Sequence, residues 1–214
     1  MVPGRARRRS LIQAASAAAL GALLPEGEAA AGTLVQDDVR RLNHGEVVRV
    51  PLDLDLAKGD YFGGISYAVI VAPPADVMRA LVDPAAYTSI LPLTLEARVL
   101  GTTGLDTQVF FKQGGKLGTA SYVLLVRRES QGLLRFWLDP TQPHEIADCW
   151  GYFRVQPWGR HASLLTYAAL VHLEFGMVKM LFTETIRKYA LTTPALVRNY
   201  VRAHLAPVGE ARGG

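Results

Sequence analysis

The stretch Asp139-Pro140-Thr141-Gln142-Pro143-His144-Glu145-Ile146-Ala147-Asp148 gathers one histidine and three carboxylates in a single short segment. A histidine beside a carboxylate suits general acid–base chemistry: the imidazole moves the proton and the carboxylate holds its orientation. In that reading His144 is the acid/base and Asp148 orients it. The competing reading is a solvated, Pro-bounded turn, because Asp and Pro also punctuate loops. Other chemistries find less support. His172 and Glu174 fall on one strand face but lack a third ligand, so no metal site is expected. Ser121 and Ser163 sit outside any G-x-S-x-G setting. Gly114-Gly115-Lys116 reads as a hairpin turn rather than a phosphate loop, since no helix start follows it. Cys149 is the sole cysteine, which excludes an internal disulfide and a cysteine-rich metal site. In a strand it is expected to act as a small apolar side chain. No cofactor is expected.

Strands and turns must position these groups. Ile65 to Val71 is nearly all apolar, as in a strand covered on both faces. Pro73-Pro74 stops it and opens a short helix, because proline is tolerated where the first-turn N–H would be unpaired anyway. Val77, Met78 and Leu81 give that helix one apolar face, and Asp83-Pro84 ends it. Strands follow at Glu96–Leu100, Thr107–Lys112, Ala120–Arg128, Leu133–Leu138, Trp150–Gln156 and Ser163–Glu174, with short turns between them. This spacing argues an antiparallel meander. A final helix of nearly thirty residues is expected from about Met177 to His204, with Phe182, Ile186, Tyr189, Leu196, Val197 and Tyr200 on one face. Pro194 is expected to kink it. Further upstream, Gly59-Asp60 and Gly63-Gly64 read as breakers around Tyr61-Phe62, and Pro51 ends or edges a short strand at Val47–Val50.

The chain has 214 residues, half of them hydrophobic, and a net charge of +4. Its first thirty-one residues read as an export signal. Arg5, Arg7, Arg8 and Arg9 precede an Ala-rich run from Leu11 to Leu24, too short for the roughly twenty residues of a spanning helix, and Ala29-Ala30-Ala31 resembles a cleavage site. Arg8-Arg9-Ser10-Leu11-Ile12 resembles a twin-arginine motif, which implies a bacterial protein exported to the periplasm. An ordinary secretory signal is the alternative. Cleavage leaves a chain with a mild positive charge, too weak for a nucleic-acid footprint. Residues 32–58 are read as an N-terminal segment, 59–206 as one domain with a sizeable core, and 207–214 as a tail.

Three segments then carry a family resemblance. Val71-Ala72-Pro73-Pro74-Ala75-Asp76-Val77, the loop Asp83-Pro84-Ala85-Ala86-Tyr87-Thr88-Ser89-Ile90-Leu91-Pro92, and Gly151-Tyr152-Phe153-Arg154-Val155-Gln156-Pro157 with Leu165-Thr166-Tyr167 resemble motifs of the START/polyketide-cyclase/coenzyme Q-binding superfamily. The resemblance covers about Gly63 to His204. It implies a helix-grip α+β fold: a curved antiparallel sheet of six to seven strands around a long C-terminal helix, with two short helices after the first strand. It also implies a cavity between sheet and helix. Strand alternation nominates the inward residues. Phe136 and Leu138 project inward with Leu134, leaving Trp137 outward. Phe153 and Val155 project inward opposite Arg154 and Gln156. On the last strand Leu165, Tyr167, Ala169, Val171 and Leu173 face in, with Thr166, His172 and Glu174 opposite. Tyr87, Ile90 and Leu91 are expected at the entrance. Leu181, Thr185 and Tyr189 are expected from the last helix, and Tyr122, Tyr167 and Tyr189 as polar groups. A plain, filled core is the alternative.

The expected function is an exported binding or transfer protein for a hydrophobic small molecule such as a lipid, isoprenoid quinone or polyketide. The alternative is a cyclase or dehydratase using the same cavity. No nucleic-acid partner is expected. The basic flank of the last helix is read as a solvated face, with transient contact with a membrane surface as the alternative.

Overall fold

The computed structural model describes residues 34–56, 59–115, 118–173, 188 and 190–205. The expected signal, the tail, and Leu181, Thr185 and Tyr189 lie outside them. The chain divides into two compact units, Met1–Arg41 and Leu42–Gly214. The described part of the first is the start of helix α1 (Gln36–Asn43), where Asp38 and Arg41 pair at 3.7 Å.

The second unit is built on one eight-stranded antiparallel sheet. Its strands are β1 (Val48–Leu56), β2 (Gly59–Ile70), β3 (Thr94–Thr103), β4 (Asp106–Gly115), β5 (Gly118–Ser130), β6 (Leu133–Leu138), β7 (Asp148–Trp158) and β8 (Ala162–His172). They lie in the order β1-β2-β8-β7-β6-β5-β4-β3. From β3 to β8 the chain is the expected meander. The additional strand of the sheet is β1, which begins at the short strand read at Val47–Val50 in the N-terminal segment and runs on past Pro51. Pro51 sits inside it, opposite Gly64. Proline is compatible with that place because β1 is an edge strand, where one row of N–H groups has no ladder partner.

The glycines flanking Tyr61-Phe62 do not break the chain; they lie within β2. Gly63 and Gly64 have φ of +154° and +152°. A Cβ on Gly63 would fall 2.0 Å from the Ala169 carbonyl oxygen, and one on Gly64 2.3 Å from that of Val50. Only glycine allows this close approach of neighbouring backbones in this conformation.

Between β2 and β3 the chain crosses to the opposite sheet edge through helix α2 (Pro74–Val82), a 3₁₀ turn (Pro84–Ala86) and helix α3 (Tyr87–Ile90). Pro74 occupies the first turn of α2, which buries Val77, Met78, Ala80 and Leu81. The Asp83 side chain caps the 3₁₀ turn, accepting from Ala85 N at 3.0 Å. Helix α4 (Thr193–His204) packs on β2 and β8 and on α2 and α3.

Pro194 does not kink a continuous helix. Lys188 and Ala190 are helical, Leu191 and Thr192 form a turn, and α4 restarts with Pro194 in its first turn. The missing proline N–H therefore costs no internal hydrogen bond. No helix among the described residues is long and apolar enough to cross a membrane.

Candidate ligand cavity

The inner face of the sheet is set by alternation. In β6 the burial pattern puts Leu134, Phe136 and Leu138 inside, while Trp137 lies on the other face beneath the Arg127 guanidinium, 5.3 Å from the ring centre. Arg127 is itself held by a two-pronged pair to Asp106 at 2.6 and 2.8 Å. That cation explains how a large ring is accommodated outside. In β7, Phe153 and Val155 are buried, and in β8 Leu165, Tyr167 and Ala169 are.

A cavity of about 860 Å³ lies against this face. Tyr87 and the Leu91–Leu93 loop form one wall. Phe111 and Gln113 of β4, and Thr119, Tyr122, Leu124 and Val126 of β5, form the next. Leu134, Phe136, Cys149 and Phe153 continue it, and Tyr167, Ala169, Val171, Leu173 and Ala190 complete it. His144, Glu145 and Ile146 contribute from the β6–β7 loop.

Gly64, Ala169 and Gly151 stand in register across three adjacent strands. Of the three, Ala169 is on the cavity wall, and the Leu191 side chain lies over Gly64. Phe136, paired with Gly151, leans over that glycine: a Cβ there would be 2.5 Å from the ring.

Two aromatic groups line the walls. Tyr87, Phe111 and Tyr122 form a ladder, with ring centres 5.5 and 5.9 Å apart and planes within 29° and 26°. Phe136, Phe153 and Tyr167 form a triangle with centre separations from 4.7 to 6.2 Å. Such spacings are those of favourable ring contacts.

Polar groups collect toward the β4–β5 hairpin. The Tyr122 hydroxyl donates to Gln113 Oε1, and Gln113 Nε2 donates to Thr94 Oγ1 at 2.7 Å. The Leu91–Leu93 loop is tied to the same hairpin by Gly114 N donating to the Leu93 carbonyl at 2.9 Å. Glu145 Oε2 accepts from Ser121 N at 2.7 Å. Burial drives the Tyr122 and Tyr167 phenols above their ordinary range, so both stay protonated. Burial, with the Asp148 charge second, pushes the Cys149 thiol up to about 12. It is an inert part of the wall, because the thiolate is the nucleophilic form.

Of the nominated residues, Tyr87, Leu91, Phe136, Phe153, Tyr167 and Val171 line the cavity, as does His144. Ile90, Leu138, Val155 and Leu165 are buried in the core instead of on the cavity wall. Tyr87 is 4% exposed, and its hydroxyl donates to the Leu81 carbonyl at 3.0 Å, which ties the ring to α2.

Asp148 does not share the cavity with His144. Its register partner is His172 on the outer sheet face, and its Oδ2 accepts from the Tyr61 hydroxyl at 2.5 Å. His144 Nδ1 lies 2.8 Å from the Ile146 carbonyl. A backbone carbonyl therefore orients the imidazole. Strand parity accounts for the separation, since Asp148 and Cys149 project to opposite faces. Among the described residues no group of three His, Cys, Asp or Glu side chains is placed to hold a metal.

Residues not nominated from sequence include Thr119, Leu124 and Val126 on β5, Cys149 on β7, and above all Phe111 and Gln113 on β4. Phe110 and Phe111 are adjacent, so either ring could face in. The alternation of Val109, Phe111 and Gln113 carries the answer, because Phe110 takes the outer face under Arg98, 4.6 Å from its ring centre.

No protein-family model matches this chain, and no curated protein matches it. Solved structures do. A STAR-related lipid transfer protein fragment from Xanthomonas axonopodis is similar with a TM-score of 0.61 at 14% identity, over 73% of this chain and 93% of that one. The Zhui aromatase/cyclase from Streptomyces sp. R1128 is similar with a TM-score of 0.55 at 10% identity, over 77% of this chain and 99% of that one. A START superfamily protein from Mycobacterium smegmatis is similar with a TM-score of 0.53 at 18% identity, over 65% and 96%. The likeness spans nearly the whole of each of these proteins, and at such identities it is a likeness of fold. The chain has the helix-grip fold of the START-like and aromatase/cyclase structures.

Proposed function

We propose that this protein binds, and carries, a hydrophobic small molecule of the lipid, isoprenoid or polyketide kind, outside the cytoplasm as its N-terminal sequence suggests. The observation that carries the reading is the cavity of about 860 Å³. It falls within the size range of small-molecule sites, and its walls are mainly apolar and aromatic with few polar groups, as such sites are. Binding would be driven by removing apolar ligand surface from water, at about 25 cal/mol per Å² before association costs. The lipid-transfer and cyclase names of the fold's neighbours are compatible with it.

The cyclase reading draws on one observation, His144 at the cavity wall. Its intended orienting carboxylate is on the other face of the sheet, which favours binding over proton transfer. The test is to incubate the purified protein with a bacterial lipid extract, repurify it and record native mass spectra. A retained apolar adduct supports binding; conversion of an added poly-carbonyl compound supports the enzyme; neither outcome refutes both readings.

A further inference from the structure

We propose that the cavity selects neutral apolar molecules carrying a hydroxyl group, held by Gln113 and Tyr122, over carboxylates of the same skeleton. The proposal rests on the binding reading and names the ligand chemistry within it. The Gln113–Tyr122 pair has committed part of its hydrogen-bonding capacity. Tyr122 has donated its proton to Gln113 Oε1, and Gln113 has donated one amide hydrogen to Thr94 Oγ1. What remains on the two neighbouring groups is one amide N–H, the second lone pair of Gln113 Oε1 and the lone pairs of the phenol oxygen. Tyr122 is 7% exposed, so bulk water does not satisfy that oxygen freely. A hydroxyl group complements both: it accepts from the amide and donates to the phenol.

A carboxylate fits poorly for two reasons. It carries no proton to offer the phenol oxygen, so it could be accommodated there only by turning the phenol O–H away from Gln113 Oε1 and giving up that hydrogen bond. It would also lose its hydration in a cavity whose described walls hold no lysine or arginine, and whose one formal charge is the carboxylate of Glu145. An unpaired buried anion is strongly disfavoured. Beside this pair the Tyr87–Phe111–Tyr122 ladder offers ring faces to the ligand body. A flat, unsaturated skeleton ending in a hydroxyl therefore matches the site at both ends.

The test uses three compounds sharing one skeleton. The protein is loaded with the neutral fluorescent probe N-phenyl-1-naphthylamine, which is displaced at neutral pH by 2-naphthol, naphthalene or ionised 2-naphthoate. The naphthol is expected to displace the probe at about tenfold lower concentration than the naphthoate. In Gln113→Leu and in Tyr122→Phe, the advantage of naphthol over naphthalene, taken as the ratio within each variant so that a change in the apolar wall cancels, is expected to fall by about three- to tenfold. Naphthalene is thus the internal control for a misfolded variant, and the wild-type comparison stands without either variant. If naphthoate equals or exceeds naphthol, or if both variants leave the naphthol advantage intact, the proposal is wrong although the binding reading survives. If the probe is not taken up at all, both are wrong.

Discussion

At the residue scale the segment from Asp139 to Asp148 holds a bonded carboxylate at each end and brings His144, Glu145 and Ile146 to the cavity between them. Asp139 is buried; its Oδ1 accepts from the Thr141 hydroxyl at 2.6 Å and the Thr141 N–H at 3.0 Å, and its Oδ2 from Gln108 at 2.8 Å. The Thr141 hydroxyl, followed by Gln108, holds this carboxyl below the ordinary range against the opposing effect of burial. A depressed folded pKa contributes stability that is fully present above the unfolded value and is lost as pH falls through the folded one. Asp139→Asn is therefore expected to lower stability at neutral pH by about 2 kcal/mol. The difference from wild type should shrink as the pH falls below the ordinary aspartate range, measured by urea unfolding across a pH series. An unchanged difference at low pH would assign the effect to packing. His144→Ala is expected to change probe affinity by less than about threefold, since the imidazole sits at the exposed end of an apolar site. A loss of turnover of an added poly-carbonyl substrate in that variant would revive the enzyme reading.

At the element scale, two glycines and a proline decide how strands and helices fit. Gly63→Ala places a methyl group against the Ala169 carbonyl in the middle of the sheet. It is expected to destabilise the protein by more than about 2 kcal/mol, read from the denaturant midpoint. Pro194→Ala is expected to shift stability by less than about 1 kcal/mol, because the proline occupies a first helical turn. A loss of several kcal/mol would contradict that placement. Much of this level was legible in the sequence. The β6, β7 and β8 parities follow from alternation, and the Pro73-Pro74 helix start follows from proline chemistry. The glycines of β2 misled because glycine marks both a break and a close backbone approach. Which applies depends on the neighbours, here Val50 and Ala169, which lie far away in sequence. Pro194 misled for a similar reason. The sequence periodicity runs across it, and periodicity does not register a turn. Leu138, Val155 and Leu165 are inward, but parity gives direction and not depth, so it does not separate a cavity wall from the packed core beneath; Ile90, nominated from the resemblance, lies in that core too.

At the scale of the whole molecule, the hollow lies against the inner face of the sheet, with Ala169 on its wall. Gly64, Ala169 and Gly151 make one in-register row of small residues. Two aromatic groups stand on the walls around it. The family resemblance implied a cavity, but the row beside it was not read from sequence, because its members come from three strands and meet only through pairing. Ala169 is the residue where the row meets the cavity, so enlarging it fills the space from the sheet outward.

The most direct measurement is therefore a fluorescence titration of wild type and Ala169→Trp with N-phenyl-1-naphthylamine, alongside their melting temperatures. The account predicts one saturable site in wild type, affinity at least about tenfold weaker in the variant, and melting temperatures within roughly 5 °C of each other because the new ring occupies empty space. Unchanged binding by a folded variant, or no binding by wild type, would contradict it.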